Sequence, residues 1–122
     1  MTTRNSAHLD LGRRGEALAA QYLRDRGMRV VARNWRCPDG ELDLVLCSRN
    51  LLIVCEVKTR TSTRYGTPAE SVTDEKAARI RRLARRWQLS HGEHLRRVRF
   101  DIVSILWQPG QVPVLRHHPG VF

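Results

Sequence analysis

Two apolar runs, Leu44-Val45-Leu46 and Leu51-Leu52-Ile53-Val54, flank the polar stretch Ser48-Arg49-Asn50. Such runs suit strands buried on both faces, and the pair predicts a central hairpin over residues 41–60. Each run breaks into charge at the end away from the turn, with Glu41 and Asp43 on the first strand and Glu56, Lys58 and Arg60 on the second. Residues two apart share a face of a strand, so each strand presents its charges as a set. With Arg49-Asn50 as a two-residue loop, antiparallel pairing sets Asp43 opposite Glu56 and Glu41 opposite Lys58. Opposed Cβ atoms lie roughly 4.5–5.5 Å apart, close enough for two carboxylates to share one divalent cation. An odd-length loop without a bulge would send the two acids to opposite faces. Asn suits the positive φ such a turn demands, whereas Arg suits it poorly.

The rest of the pattern places elements around that hairpin. Residues 1–9 are polar and expected to fray. Asp10 can cap a helix over 10–26, with Gly27 at its C′ position and an apolar stripe of Leu11, Leu18, Ala19, Tyr22 and Leu23. A first strand is expected over 28–35, and Cys37-Pro38-Asp39-Gly40 turns the chain into the hairpin. Residues 61–70 form a polar loop holding Tyr65, Gly66 and Pro68, either a flap over nucleic acid with Tyr65 stacked on a base or a plain connector. Caps and early acids at residues 71–75 start a helix to about 89 whose core face is Ala77, Ile80, Leu83, Ala84 and Trp87. Strands over 99–106 and 112–116 follow, separated by Pro109-Gly110. Asp101 fits either a supporting partner of the acidic site or an edge charge.

Composition narrows the function. The chain of 122 residues is 41% hydrophobic and 28% charged, the size and balance of one globular domain. No apolar run nears the roughly 18 residues needed to span a bilayer, and the N-terminus lacks a signal peptide's apolar core. Cys37, Cys47 and Cys55 are odd in number without CxxC spacing, as expected for reduced thiols in a cytoplasmic protein. A net charge of +10 asks for a polyanionic partner, with nucleic acid the simplest and an anionic membrane surface or ribosomal RNA also compatible. Of the 22 basic residues only Lys58 and Lys76 are lysine. Lysine offers a compact, flexible point charge that arginine does not, and one of the two stands among the carboxylates.

Several features have a plain reading beside the functional one. Lys58 and Arg60 could neutralise Glu41 and Glu56 as ordinary cross-strand pairs. Glu16 lies off the apolar stripe and could be a solvated helix residue. Lys76, Arg79, Arg82 and Arg86, widened by Arg81 and Arg85, are either a solvated face or a phosphate-binding flank. Gly12-Arg13-Arg14-Gly15 matches the GXXG of KH domains, but a KH loop joins two helices. Here one helix precedes three strands, so the glycines are better read as permitting close approach to another backbone, with Arg13 and Arg14 near phosphate. Adjacent histidines such as His117-His118 rarely converge on a metal.

Asp43, twelve intervening residues, then Glu56-Val57-Lys58 resembles the core of the PD-(D/E)XK nuclease superfamily, with the leading Pro-Asp represented by its Asp. More closely, the chain resembles the YraN-type uncharacterised bacterial family. The segments that carry this are LGRRGEALAAQYL (11–23), GELDLV (40–45), EVKTR (56–60), residues 66–80 ending in ESVTDEKAARI, and RFDIV (99–103). The resemblance implies a restriction-endonuclease-like three-layer α/β fold, a mixed sheet flanked by helices in the order α-β-β-β-α-β-β. It implies Mg²⁺ or Mn²⁺ held by Asp43, Glu56 and the Val57 carbonyl, with Lys58 orienting water and Glu16 completing the site. Glu41 would tether Lys58, and Arg13, Arg14, Arg60, Lys76 and Arg79 would hold the DNA backbone. The function implied is hydrolysis of DNA phosphodiesters, including branched or junction DNA. Junction cutting would need a homodimer, since it requires two centres related by a two-fold axis. The alternative is a non-catalytic nucleic-acid-binding protein on the same fold; a third is a structural protein with paired surface charges.

Overall fold

The computed structural model describes residues 4–62, 72–94 and 96–122. Its elements run α1 (Arg4–Asp25), β1 (Arg29–Cys37), β2 (Gly40–Ser48), β3 (Leu51–Arg60), α2 (Asp74–Ser90), β4 (Arg97–Leu106) and β5 (Val114–His118). Tyr65, Gly66, Pro68 and Ser71, which carried the flap and part of the capping expectation, lie outside the described residues. The five strands form one sheet in sequence order, antiparallel at every step except β3 with β4. A parallel neighbour needs a crossover, and α2 is that crossover. The expected α-β-β-β-α-β-β order and α/β class hold. No helix among the described residues is long and apolar enough to cross a membrane.

Alternation along β2 and β3 builds two cores. Leu44, Leu46, Ile53 and Cys55 pack against Ala19, Ala20 and Leu23 of α1. Val45, Cys47, Leu52 and Val54 pack against Ile80, Leu83, Ala84 and Trp87 of α2. The sheet is thus buried on both sides between opposed helices. On α2 all five expected core positions are buried, and Gln88 joins them because its amide donates to the carbonyls of Glu93 and Arg96, at 2.9 and 3.0 Å. A buried amide is tolerated when it is bonded in this way.

Several boundaries and the central turn differ from expectation. The first helix begins at Arg4, so Asp10 is interior to it and the polar start is helical from residue 4; neither Pro nor Gly interrupts residues 4–11, and polar composition alone does not prevent a helix. The last strand begins at Val114, after Pro113, which has no N–H to give a ladder. The tight turn puts Arg49 at φ 54, so the residue less suited to positive φ carries it.

The glycines of the first helix differ in role. A Cβ on Gly12 would meet nothing within 4 Å, whereas one on Gly15 would strike the Thr59 hydroxyl and lie 3.0 and 3.1 Å from Thr59 Cβ and Cγ2. Rotating the threonine exchanges one clash for another, so only Gly15 is a close-packing site, and its neighbour is a side chain. Gly15→Ala should cost about 1–3 kcal/mol in urea denaturation, the range for overpacking. Gly12→Ala should gain up to about 1 kcal/mol, since glycine is poor inside a helix. Equal effects at the two sites would refute the close contact.

Candidate functional site

The central hairpin has the register expected of a two-residue loop. Ser48 pairs with Leu51, and the ladder proceeds through Val45 with Val54 to Leu44 with Cys55. The next step along it carries Asp43 and Glu56. There an Asp43 side-chain oxygen accepts from the Val57 amide at 2.9 Å, which fixes the carboxylate at the mouth of the hairpin. Asp43 shares a face with Val45, and Glu56 and Lys58 share one with Val54. Both faces are those packed under α2.

Four acids and two lysines meet there. Carboxylate oxygens of Glu16, Glu41 and Asp43 all lie within 4.8 Å of one another, each residue partly buried. The Glu16 carboxyl is raised above its usual range by burial, against an opposing hydrogen bond from Asn34 and with the charges of Asp43 and Glu41 adding to the rise. Glu56 is only 9% exposed. Its carboxyl is pushed up to about 8, first by burial, then by the charge of Asp43 and a hydrogen bond between the two acids, against the pull of Lys76 and Lys58. The Lys76 ammonium is lowered to about 8 by burial and by Lys58, which lies within hydrogen-bonding reach. Strained acids and cations of this kind in one cleft are typical of a functional centre.

Sequence expectations fare unevenly around this centre. Glu16 is not a solvated helix residue, because Gly15 seats α1 against Thr59 and swings the next side chain to the acids. Glu41 does not tether Lys58: its carboxylate accepts from Arg36 Nε of β1 at 2.8 Å. The cause is the hairpin of β1 and β2, which pairs Arg36 with Glu41 directly. Arg14 stacks over Trp107, 4.4 Å from the ring centroid, while Arg13 and Arg79 are exposed. Arg86 is paired with Asp39 and Arg81 lies over Phe122, so the basic flank of α2 is partly committed to structure.

Asn34 was missed. It sits in β1 at φ 50, between Arg33, paired with Leu44, and Trp35, paired with Leu42. From there it bonds the Glu16 side chain. An asparagine inside an apparent strand was the available signal, since asparagine is depleted in strands and tolerates left-handed backbone. His117 bonds Asp101 at 2.7 Å and His118 approaches Ser104 at 3.4 Å, so both face β4 and neither belongs to the acidic group.

The donor set decides what the centre could hold. Several carboxylate oxygens, with no sulfur or imidazole among them, match hard cations such as Mg²⁺ and Mn²⁺. Carboxylates this close repel unless a proton or a cation lies between them.

Comparison with known proteins places the chain among close relatives. Residues 15–105 match uncharacterised protein family UPF0102, a span containing the six acids and lysines just described. A UPF0102 protein of Nocardioides sp. is 51% identical over 111 residues, covering 91% of this chain and 90% of the relative. One from Nocardia farcinica is 51% identical, with 92% and 88% covered, and one from Frankia casuarinae is 50% identical, with 92% and 95% covered.

Proposed function

The chain belongs to the uncharacterised protein family UPF0102, as its YraN-type resemblance implied, and on that footing we propose that it is a metal-dependent endonuclease acting on DNA phosphodiesters. The observation that carries this reading is the meeting of Asp43, Glu56 and Lys58 under α2, with Glu16 delivered from α1. Asp43, Glu56 and the Val57 carbonyl would hold Mg²⁺ or Mn²⁺, with Glu16 closing the shell. A cation so held would polarise the phosphodiester and lower the pKa of an attacking water.

The chain's own residues do the remainder. Asp43 is pinned by the Val57 amide, so its orientation costs nothing further when the substrate arrives. Glu56 and Lys58 share a face, so Lys58 would orient the water or stabilise charge on the phosphoryl oxygens while Glu56 would serve as a ligand to the cation. Arg36 removes Glu41 from competition for Lys58. Arg13, Arg79 and the exposed arginines of a +10 chain supply sequence-independent hold on the backbone. Three free cysteines suit the reducing cytoplasm.

The test is a panel of labelled duplex, single-strand, flap and four-way-junction DNA with Mg²⁺ or Mn²⁺, with binding followed separately at fixed salt. Cleavage that requires metal and disappears in Lys58→Ala, with binding kept, is the expected result and names the substrate. If the junction is the preferred one, the complex should contain two copies of the chain. Binding by the natural chain without cleavage of any substrate would instead assign it as a non-catalytic nucleic-acid-binding protein.

A further inference from the structure

The chain's two lysines come together although they lie on different elements and 20 of the 22 basic residues are arginine. Lys58 projects from β3 and Lys76 from the first turn of α2. The base of Lys76 is fixed, since its backbone amide donates to the Thr73 cap oxygen at 3.1 Å. Its ammonium neighbours Lys58 and Glu56. Lys76, Arg79 and Arg82 recur every third residue, so they share one face of the helix. They line a groove of about 660 Å³ together with Thr73, Glu75 and Ala78.

Two ammonium groups beside one buried carboxylate are more cation than that acid needs. They are tolerable while Asp43, Glu41 and Glu16 leave the centre anionic. A divalent ion on Asp43 and Glu56 would reverse the balance: with Glu41 already paired to Arg36, three carboxylates would face a dication and two ammonium groups, and Glu56 would turn from the lysines to the ion. What satisfies the metal and both ammonium groups at once is an anion between them. Lysine fits this role better than arginine, because a compact charge on a flexible stem can turn from a carboxylate to a phosphoryl oxygen.

We propose that Lys76 contacts the phosphodiester at the acidic centre, opposite Lys58, so that the substrate phosphate is gripped between β3 and α2 and the arginine face of α2 leads the nucleic-acid backbone to it. The inference rests on the phosphodiester reading above and makes Lys76 part of the reaction centre, where the basic flank alone would make it one of many backbone contacts.

With two lysines, ¹⁵N-labelled lysine side chains give two ammonium signals, assigned through Lys58→Arg and Lys76→Arg. The probe is a short DNA duplex added to the full chain in Ca²⁺, which occupies an oxygen site without the need for turnover. Both signals should move on adding duplex to the Ca²⁺-loaded protein. Lys76→Met should weaken duplex binding about tenfold, the equivalent of one charge-assisted hydrogen bond, whereas Arg85→Met, an exposed backbone contact off the groove, should weaken it only about two- to threefold, as for one solvated ion contact. A Lys76 signal that responds to Ca²⁺ alone and not to duplex, with duplex affinity unchanged in Lys76→Met, would make Lys76 a mere counter-ion of Glu56 and overturn the inference. Duplex binding that moves Lys58 only overturns it while leaving the nuclease reading intact; no binding of duplex, single-strand, flap or junction DNA at any ionic strength removes both.

Discussion

Between pH 6 and pH 8 the affinity of the acidic centre for Mn²⁺ should rise about fiftyfold, and it should level off above pH 8. The cause is the proton on Glu56. With its carboxyl pushed up to about 8 by burial and by Asp43, Glu56 is protonated at pH 6, and a cation must displace that proton to use the oxygen. Displacing one proton gives about a tenfold gain per pH unit below the pKa, flattening as the pKa is approached. The groups facing Glu56 are Asp43 from β2, Lys58 on its own strand and Lys76 from α2. Lys76 works in the same direction: lowered to about 8, it sheds charge as the pH rises and opposes the cation less. Titration calorimetry in two buffers of different ionisation heat would count the proton released. Glu56→Gln should flatten the profile and weaken binding; a flat profile in the natural chain would refute the assigned proton.

The same shifts fix how the metal-free fold responds to pH. Glu56, raised from 4.5, contributes stability that is present below pH 4.5 and lost as the pH rises through 8. Lys76, lowered from 10.5, contributes stability that is present above 10.5 and lost as the pH falls through 8. The centre is therefore least favourable to folding near pH 8, where a cation held by the acids would relieve it most.

The hairpin was legible in the sequence for a physical reason: a two-residue loop and period-two alternation leave one register, which set Asp43 beside Glu56. Longer-range partners were not. The hairpin alone sets Glu41 opposite Lys58, while its partner Arg36 depends on β1, whose register shifts between Val30 and Ala32. Helical periodicity found the core face of α2 but could not place Lys76 at the site, since that depends on how the crossover lays its first turn over β3. For Glu16 the pattern leaves solvent and the acidic cluster equally open, and the seating of Gly15 on Thr59 brings its carboxylate within 4.8 Å of those of Glu41 and Asp43. Asp101 was expected at an edge or beside the acidic site, because an acid in the interior runs against the usual distribution of charge.

That buried acid sets the largest stability effect expected of a single substitution. Asp101 is fully buried and accepts four hydrogen bonds: two from Arg99 at 2.8 Å each, one from His117 at 2.7 Å and one from the Gly120 amide at 3.1 Å. Burial alone would raise its carboxyl, but Arg99, His117 and Gly120 outweigh burial and hold it below the usual range. The network ties β4 to β5 and to the C-terminal turn, where the Val121 amide bonds the Phe100 carbonyl and Phe122 stacks on Phe100. Asp101→Ala strips the partner from a half-buried guanidinium, a histidine and a backbone amide together, and should cost about 3–5 kcal/mol, as for removal of one member of a buried ion pair. Asp101→Asn should cost less, since it keeps one acceptor. Because the folded pKa is depressed, the contribution is present above pH 3.8 and lost as the pH falls below it. The gap between the natural chain and Asp101→Ala in urea denaturation should therefore hold steady from pH 8 to pH 5 and narrow only in stronger acid. Asp101 projects on the side of Cys55, its neighbour in the parallel ladder, opposite to Glu56. Metal affinity per folded molecule should be unchanged in Asp101→Asn, and a loss there comparable to that of Glu56→Gln would tie the two acids into one site.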